Sequence, residues 1–282
     1  MIKINDFMYQ RTMQAWELKK VMLTTLQAQF KKFTGKMDVK EYHFNHAHLP
    51  SLKKALEIAD KYKGPKILVS GGDSVNLDVF SRFYKNTPES VDAEYEIETL
   101  VSYLKLASQV YDRIVFLTTN HENRLRKIVS HYVGDKKVAQ AIIKQMKTLD
   151  DIFQGNKLDK IVYTNSNVFK VGDVFVTHFE NNSNVPGTVG EKVMRGLNNL
   201  YGHDWKLAIQ CHTHSMSKNT YQRQTVIESG TFQVSPDYWV GNGRICGERK
   251  SAGIGYATCN LVNGEVDINS ANYVITSWRE LL

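Results

Sequence analysis

The repeated alternation of short apolar runs with longer helical patterns is the feature that most constrains how this chain can fold. Each apolar run is five to seven residues long, and apolar residues recur at helical spacing between the runs. Such alternation is typical of an α/β domain. The predicted strands cover residues 66–70, 113–119, 173–178 and 206–212, and the predicted helices cover residues 51–62, 93–110, 138–153 and 190–200.

Both ends of the chain depart from this pattern. Residues 12–33 carry apolar side chains near helical spacing, which predicts an amphipathic helix within an N-terminal helical extension over residues 1–40. We expect this helix to dock on the main domain, with contact to a nucleic-acid backbone as the alternative. Near the other end, Asn263-Gly264 predicts a β-hairpin turn. Since no Pro-rich linker occurs, residues 41–282 are predicted to form one domain.

Composition limits the class of protein. The 282 residues are 42% hydrophobic and 23% charged, which excludes a disordered chain or a fibrous rod. No apolar stretch is long enough for a membrane span, and the first residues do not predict a secretory signal. Three cysteines are too few for a disulfide framework, so we predict a cytoplasmic protein. The net charge of +7 favours anionic partners such as nucleic acid, with solubility alone as the alternative.

Six of the nine histidines fall in four short clusters. Three of these clusters, together with an aspartate, follow predicted strands, in the order Asp73, Asn120-His121, His178 and His212-Thr213-His214. Because the carboxyl ends of strands meet at one edge of an α/β sheet, we expect these side chains to share a site. Imidazoles with a carboxylate and an amide oxygen suit Mn²⁺, Fe²⁺, Zn²⁺ or Ni²⁺.

Each cluster also has an ordinary structural interpretation. Gly-Gly-Asp is a common turn, and His-Thr-His can be one polar face of a strand. Their shared position at strand ends favours a metal site over these alternatives. The remaining histidines, His43, His131 and His203, are predicted to be ordinary surface or loop residues. No cysteine pair has zinc-finger spacing, so a structural zinc site is not predicted.

The ordered clusters resemble the motifs of the calcineurin-like metallophosphoesterase family. That family shows D-x-H, then G-D-x-x-D/N, then G-N-H-E/D, then a histidine at a strand end, then G-H-x-H. The corresponding segments here are His46-Ala47-His48, Gly72-Asp73-Ser74-Val75-Asn76, Thr119-Asn120-His121-Glu122, His178 and Cys211-His212-Thr213-His214. The resemblance covers about residues 41–265 and implies an α/β four-layer sandwich: two mixed β-sheets flanked by helices, with the metal site at the carboxyl ends of the strands.

The resemblance also implies a role for each matching residue. Asp73 would bridge two divalent metals, manganese by preference, with iron, zinc or nickel as alternatives. The other implied metal ligands are His46, His48 and His214 for the first metal and Asn120, His178 and His212 for the second. His121 would be the catalytic residue that faces the scissile phosphate without touching a metal. Asn76 would have a supporting role, and Arg124 would bind a phosphate oxygen.

The chemistry implied by the resemblance is hydrolysis. A hydroxide that bridges the two metals would attack phosphorus in line, and His121 would protonate the leaving oxygen. Three positions depart from the family pattern. His46 replaces an aspartate, so the site loses one negative charge. Thr119 and Cys211 replace glycines, so the backbone before Asn120 and His212 is expected to differ from that of the family.

We therefore predict a metal-dependent phosphoesterase. The basic charge favours a phosphodiesterase or nuclease that acts on nucleic acid or nucleotides. A phosphomonoesterase or protein phosphatase of the same family is the first alternative, and a noncatalytic nucleic-acid-binding relative is the second. The sequence leaves the oligomeric state open.

Overall fold

The structure is a computed structural model that describes residues 21–26, 50–75, 93–119, 121, 123–146, 148–181, 183, 187–230 and 254–276. The strands are β1 (Val21–Leu26), β2 (Lys66–Ser70), β3 (Arg113–Phe116), β4 (Ile161–Tyr163), β5 (Val168–Val171), β6 (Val174–Thr177), β7 (Leu207–Gln210), β8 (Met216–Tyr221), β9 (Gln224–Ser229), β10 (Ile254–Val262) and β11 (Glu265–Thr276). The helices are α1 (Pro50–Lys61), α2 (Ala93–Val110), α3 (Arg124–Tyr132), α4 (Lys136–Gln145), α5 (Leu149–Gly155) and α6 (Thr188–Tyr201). None of these helices is both long enough and apolar enough to cross a membrane.

The strands form two mixed sheets. The first sheet has the order β11-β10-β1-β2-β3-β4, in which β1 to β4 are parallel, β10 is antiparallel to β1, and β11 is antiparallel to β10. The second sheet has the order β5-β6-β7-β9-β8, with a parallel centre of β6, β7 and β9 and an antiparallel strand at each edge. Strands β2 and β3 of the first sheet, and β6 and β7 of the second, are those that precede the predicted site residues.

Alternation along the central strands creates four layers. In β2, Ile67 and Val69 face a core between the two sheets, whereas Leu68 faces a second core beneath helices α1, α2 and α5. In β6, Val176 faces the core between the sheets and Phe175 packs against α6. This pattern is expected of strands that are buried on both faces. The predicted α/β four-layer sandwich is therefore confirmed.

The predicted helix over residues 12–33 is wrong at Val21–Leu26, because these residues form β1. Strand β1 lies between β2 and β10, with Met22 facing the helices and Leu23 facing the core between the sheets. The β-branched residues of Val-Met-Leu-Thr-Thr-Leu fit a strand buried on both faces. Strand β1 is therefore part of the first sheet, although it lies before residue 41, where the main domain was predicted to begin. The rest of the predicted extension lies outside the described residues.

The predicted helix over residues 138–153 is two helices. Helix α4 begins earlier, at Lys136, because the Asp135 side chain accepts hydrogen bonds from two backbone amides of its first turn. Helix α5 then starts anew at a capping box, in which Thr148 and Asp151 each bond the other's backbone amide. The hairpin turn at Asn263-Gly264 is confirmed: both residues have positive φ, 53° and 82°, as a two-residue hairpin turn requires.

Candidate metal centre

Asp73 lies at the carboxyl end of β2 in a tight turn. Gly72 and Asp73 both have positive φ, 88° and 54°, and Asp73 is 2% exposed. The Thr119 hydroxyl, from the end of β3, donates to Asp73 Oδ1 over 2.8 Å and accepts from the Asp73 backbone amide over 3.0 Å. Two hydrogen bonds from one side chain therefore fix the orientation of the carboxylate.

Thr119 stands where the family resemblance places a glycine, and its neighbour explains how it fits. A Cβ atom added to Gly72 would lie 1.8 Å from Thr119 Cγ2. There is thus room for the threonine side chain because Gly72 has no side chain. This departure from the family pattern supplies a hydrogen-bonding group to Asp73 at the site.

His178 follows β6 in the second sheet, and its side chain contacts Asp73 of the first sheet. It is 1% exposed, and its Nδ1 donates to the Gly71 carbonyl oxygen over 2.6 Å. Since a carbonyl oxygen only accepts, Nε2 is the atom that faces Asp73 Oδ2 at 3.3 Å and His212 Nδ1 at 3.1 Å. A backbone acceptor on the far nitrogen is the usual way in which a protein orients a histidine toward a metal.

Asp73, His178 and His212 bring their ligand atoms within 4.8 Å of one another. A carboxylate oxygen and two ring nitrogens that converge in this way require positive charge between them, which a proton on His178 or a metal cation supplies. The donor set of one oxygen and two imidazoles fits a divalent transition metal. The residues present therefore fit the metal that the sequence predicts at this position.

Electrostatics around Asp73 also favour a bound cation. Burial alone would raise the pKa of the Asp73 carboxyl, but the charge and hydrogen bond of His178 lower it well below its usual value, with smaller contributions from His121 and His214. Burial lowers the pKa of His214 to about 4, and burial together with His178 lowers the pKa of His212. Near pH 7 both rings are therefore neutral, which is the form that binds a metal.

The loop that carries His212 and His214 is strained. Both residues have positive φ, 91° and 57°, which side chains with a Cβ atom rarely adopt. The preceding Cys211, where the family pattern has glycine, is buried, with its Sγ 3.4 Å from Ser229 Oγ. Burial raises the pKa of Cys211 to about 12, so it remains a thiol and is not a metal ligand in this form.

Two buried polar residues that sequence reasoning missed support the histidine loops. Gln210, at the end of β7, accepts from the Thr177 hydroxyl over 2.6 Å and donates to the Phe179 carbonyl over 2.8 Å, which ties the exits of β6 and β7 together. Glu228 accepts from the Thr213 and Ser217 hydroxyls over 2.6 and 2.7 Å. For Gln210 the sequence signal was a polar side chain at the end of an otherwise apolar strand, whereas Glu228 lies among other polar residues of β9.

His121 and Arg124 lie together at the start of α3. Arg124 Nη2 is 2.9 Å from His121 Nε2, and since a guanidinium only donates, Nε2 accepts and the proton of the neutral ring lies on Nδ1. His121 also helps to lower the pKa of the Asp73 carboxyl, as a charge near that carboxylate does. The structure thus brings His178 and His212 against Asp73, with His121 and His214 near enough to act on its charge and Arg124 in contact with His121.

The other predicted residues lie outside the described part of the chain. These are the predicted ligands His46, His48 and Asn120 and the supporting Asn76, and their roles stay predictions. His131 and His203 are exposed, as expected for ordinary surface histidines, and His43 is also outside the described residues.

Comparison with known proteins identifies similarity of structure alone. No protein-family model and no curated protein matches the sequence. Among solved structures, an archaeal phosphodiesterase is similar at 13% identity and a TM-score of 0.40, covering 90% of this chain and 99% of its own. Vps29 from Entamoeba histolytica, complexed with zinc, is similar at 8% identity and a TM-score of 0.39, covering 91% of this chain and 99% of its own. A metallophosphoesterase from Sphaerobacter thermophilus is similar at 14% identity and a TM-score of 0.37, covering 90% of this chain and 88% of its own. At such low identities and TM-scores, the function must be argued from the site itself.

Proposed function

We propose that this protein is a metal-dependent phosphoesterase that hydrolyses phosphodiesters in nucleic acid or nucleotides. The observation that carries the proposal is the convergence of Asp73, His178 and His212 on one point. These side chains come from two different sheets, and Asp73 and His178 are almost completely buried. Burial of a carboxylate among imidazoles is costly unless positive charge lies beside it, which a proton on an imidazole or a metal cation supplies.

We also propose that two divalent metals bind, with manganese preferred. Asp73 would serve both metals, His178 and His212 would hold one together with Asn120, and His214 would hold the other together with His46 and His48. When bound, such metals polarise the phosphoryl oxygens and lower the pKa of water. The protein's part is to hold these ligands in their neutral or anionic form, which the low pKa values of Asp73 and His214 support.

In this proposal Arg124 and His121 act on the substrate. The Arg124 guanidinium, which donates to His121 Nε2 in the structure, prefers paired hydrogen bonds to a phosphate group. A phosphate at the site therefore draws Arg124 away from His121. His121 Nε2 can then bind a proton and donate it to the leaving oxygen.

The test is hydrolysis of bis-p-nitrophenyl phosphate beside p-nitrophenyl phosphate, with added Mn²⁺ and after removal of metal by a chelator. We expect hydrolysis that depends on metal and is faster for the diester. Faster hydrolysis of the monoester would favour a phosphomonoesterase instead. A protein that binds nucleic acid but hydrolyses neither compound would contradict the proposal and favour a noncatalytic binder.

A further inference from the structure

One structural unit in the described part of the chain carries a marked excess of positive charge. Helices α3 and α4, residues 124–145, form a hairpin that we call the basic hairpin. It contains six Lys or Arg residues and one Asp, a net charge of +5. The single acid, Asp135, is engaged with the backbone at the start of α4.

The basic hairpin starts beside the candidate metal centre. Its first residue, Arg124, contacts His121, and Asn123 Nδ2 donates to the Thr119 carbonyl oxygen over 3.0 Å. Thr119 is the residue that holds the Asp73 carboxylate. A ligand bound along α3 therefore continues from a ligand bound at the histidine cluster.

A groove of about 470 Å³ follows one face of α3. Its lining residues recur at spacings of three and four, as one helix face requires. They are Asn123, Arg126, Lys127, Ser130 and His131. Within the described part of the chain, no carboxylate forms an ion pair with Arg126 or Lys127. Two cations and several hydrogen-bonding groups along about 13 Å of helix match a row of phosphates.

We propose that this groove binds the backbone of a single-stranded nucleic acid next to the scissile phosphate. Arg126 and Lys127 contact phosphates. Tyr132, at the end of α3, is 73% exposed and offers a ring on which a base can stack, which favours a single strand over a duplex. The inference rests on the proposed function for the position of the scissile phosphate, at the histidine cluster.

The experiment measures binding of a labelled, hydrolysis-resistant single-stranded oligonucleotide to the metal-loaded protein at several salt concentrations. The groove variant is Arg126→Gln/Lys127→Gln. Its matched control is Lys61→Gln/Lys63→Gln, which removes two exposed lysines. These lysines lie near the amino end of β2, whereas the histidine cluster lies beyond the carboxyl ends of the strands. Thermal melting verifies that both variants fold.

Each phosphate contact to a single strand adds about 0.7 to the slope of log affinity against log salt. The groove variant should therefore lose about 1.4 units of slope and bind more weakly, whereas the control variant should keep the wild-type slope. Tyr132→Ala should weaken binding without changing the slope. Equal slopes in the groove and control variants would overturn the inference, as would a poly-glutamate peptide that competes as well as the oligonucleotide.

The proposed function is tested separately by wild-type hydrolysis of bis-p-nitrophenyl phosphate. Loss of slope in the groove variant supports the binding surface whether or not that compound is hydrolysed. Wild-type hydrolysis with unchanged oligonucleotide binding in the groove variant would instead leave the proposed function standing and remove the inference.

Discussion

Asp73 is a buried carboxylate whose ionised form is maintained by its neighbours. Leaving a buried charge unpaired costs several kcal/mol, so its partners decide what the site can hold. The Thr119 hydroxyl takes one carboxylate oxygen, and His178 Nε2 approaches the other at 3.3 Å. The second oxygen therefore points toward the histidines, where a metal would be its strongest partner.

At His121 we expect catalysis to separate from metal binding. His121→Ala should leave the metal content unchanged, because His121 is predicted to touch no metal. Loss of a general acid should slow turnover by roughly 10²–10⁴-fold for a nucleotide diester, whose alkoxide leaves poorly without a proton. The loss should be much smaller for bis-p-nitrophenyl phosphate, since p-nitrophenolate leaves readily. Initial rates on both substrates measure the contrast.

Metal analysis of the same variant is the control. Loss of metal from His121→Ala would make His121 a ligand and would contradict its assigned role. Equal slowing on both substrates, with normal metal content, would indicate that His121 does not protonate the leaving group.

Single residues also show where sequence reasoning stops. The order of Asp73, His178 and His212 along the chain was enough to predict that they meet, because each follows a strand. Thr119 appeared in the sequence as a departure from a family motif. Its partners, Asp73 and Gly72, lie 46 and 47 positions away, so nothing local indicated that its hydroxyl fixes the carboxylate.

At the scale of elements, the apolar runs with site residues at their ends were predicted well. Strands β2, β3, β6 and β7 were each found from a short apolar run, although β3 ends at Phe116, before the predicted end. Strands β4, β5 and β8 were missed, since their short or polar segments lack a clear period. Strand β1 was mistaken for a helix because a strand buried on both faces has no period-two pattern.

The position of β1 can be tested through Leu23. This side chain is fully buried in the core between the sheets. Leu23→Ala should therefore lower the free energy of unfolding by about 2–5 kcal/mol. The control, Val262→Ala, removes a side chain that is 43% exposed, and should change stability by about 0.5 kcal/mol or less.

Urea unfolding of both variants measures the difference. Similar stability of Leu23→Ala and the wild type would contradict a central position for β1 and would indicate that this segment lies at the surface.

At the scale of the whole molecule, the candidate site exists only because two sheets pack face to face. The first sheet supplies Asp73 and His121, and the second supplies His178, His212 and His214. The family resemblance implied this two-sheet arrangement, whereas the sequence periodicity indicated only an α/β class. The roles of Gln210 and Glu228 in holding the second sheet's histidine loops could not be predicted, because their hydrogen-bond partners lie on neighbouring strands and loops.

The central claim is that a metal centre is built around Asp73, and the metal content of Asp73→Asn tests it most directly. The substitution keeps the shape of the side chain and removes its charge. Asp60→Asn, an exposed position on α1, is the matched control. After dialysis, the wild type and Asp60→Asn should each retain about two transition metals per chain, and Asp73→Asn, checked for folding by its melting curve, should retain almost none. A folded Asp73→Asn protein that keeps both metals would contradict the account.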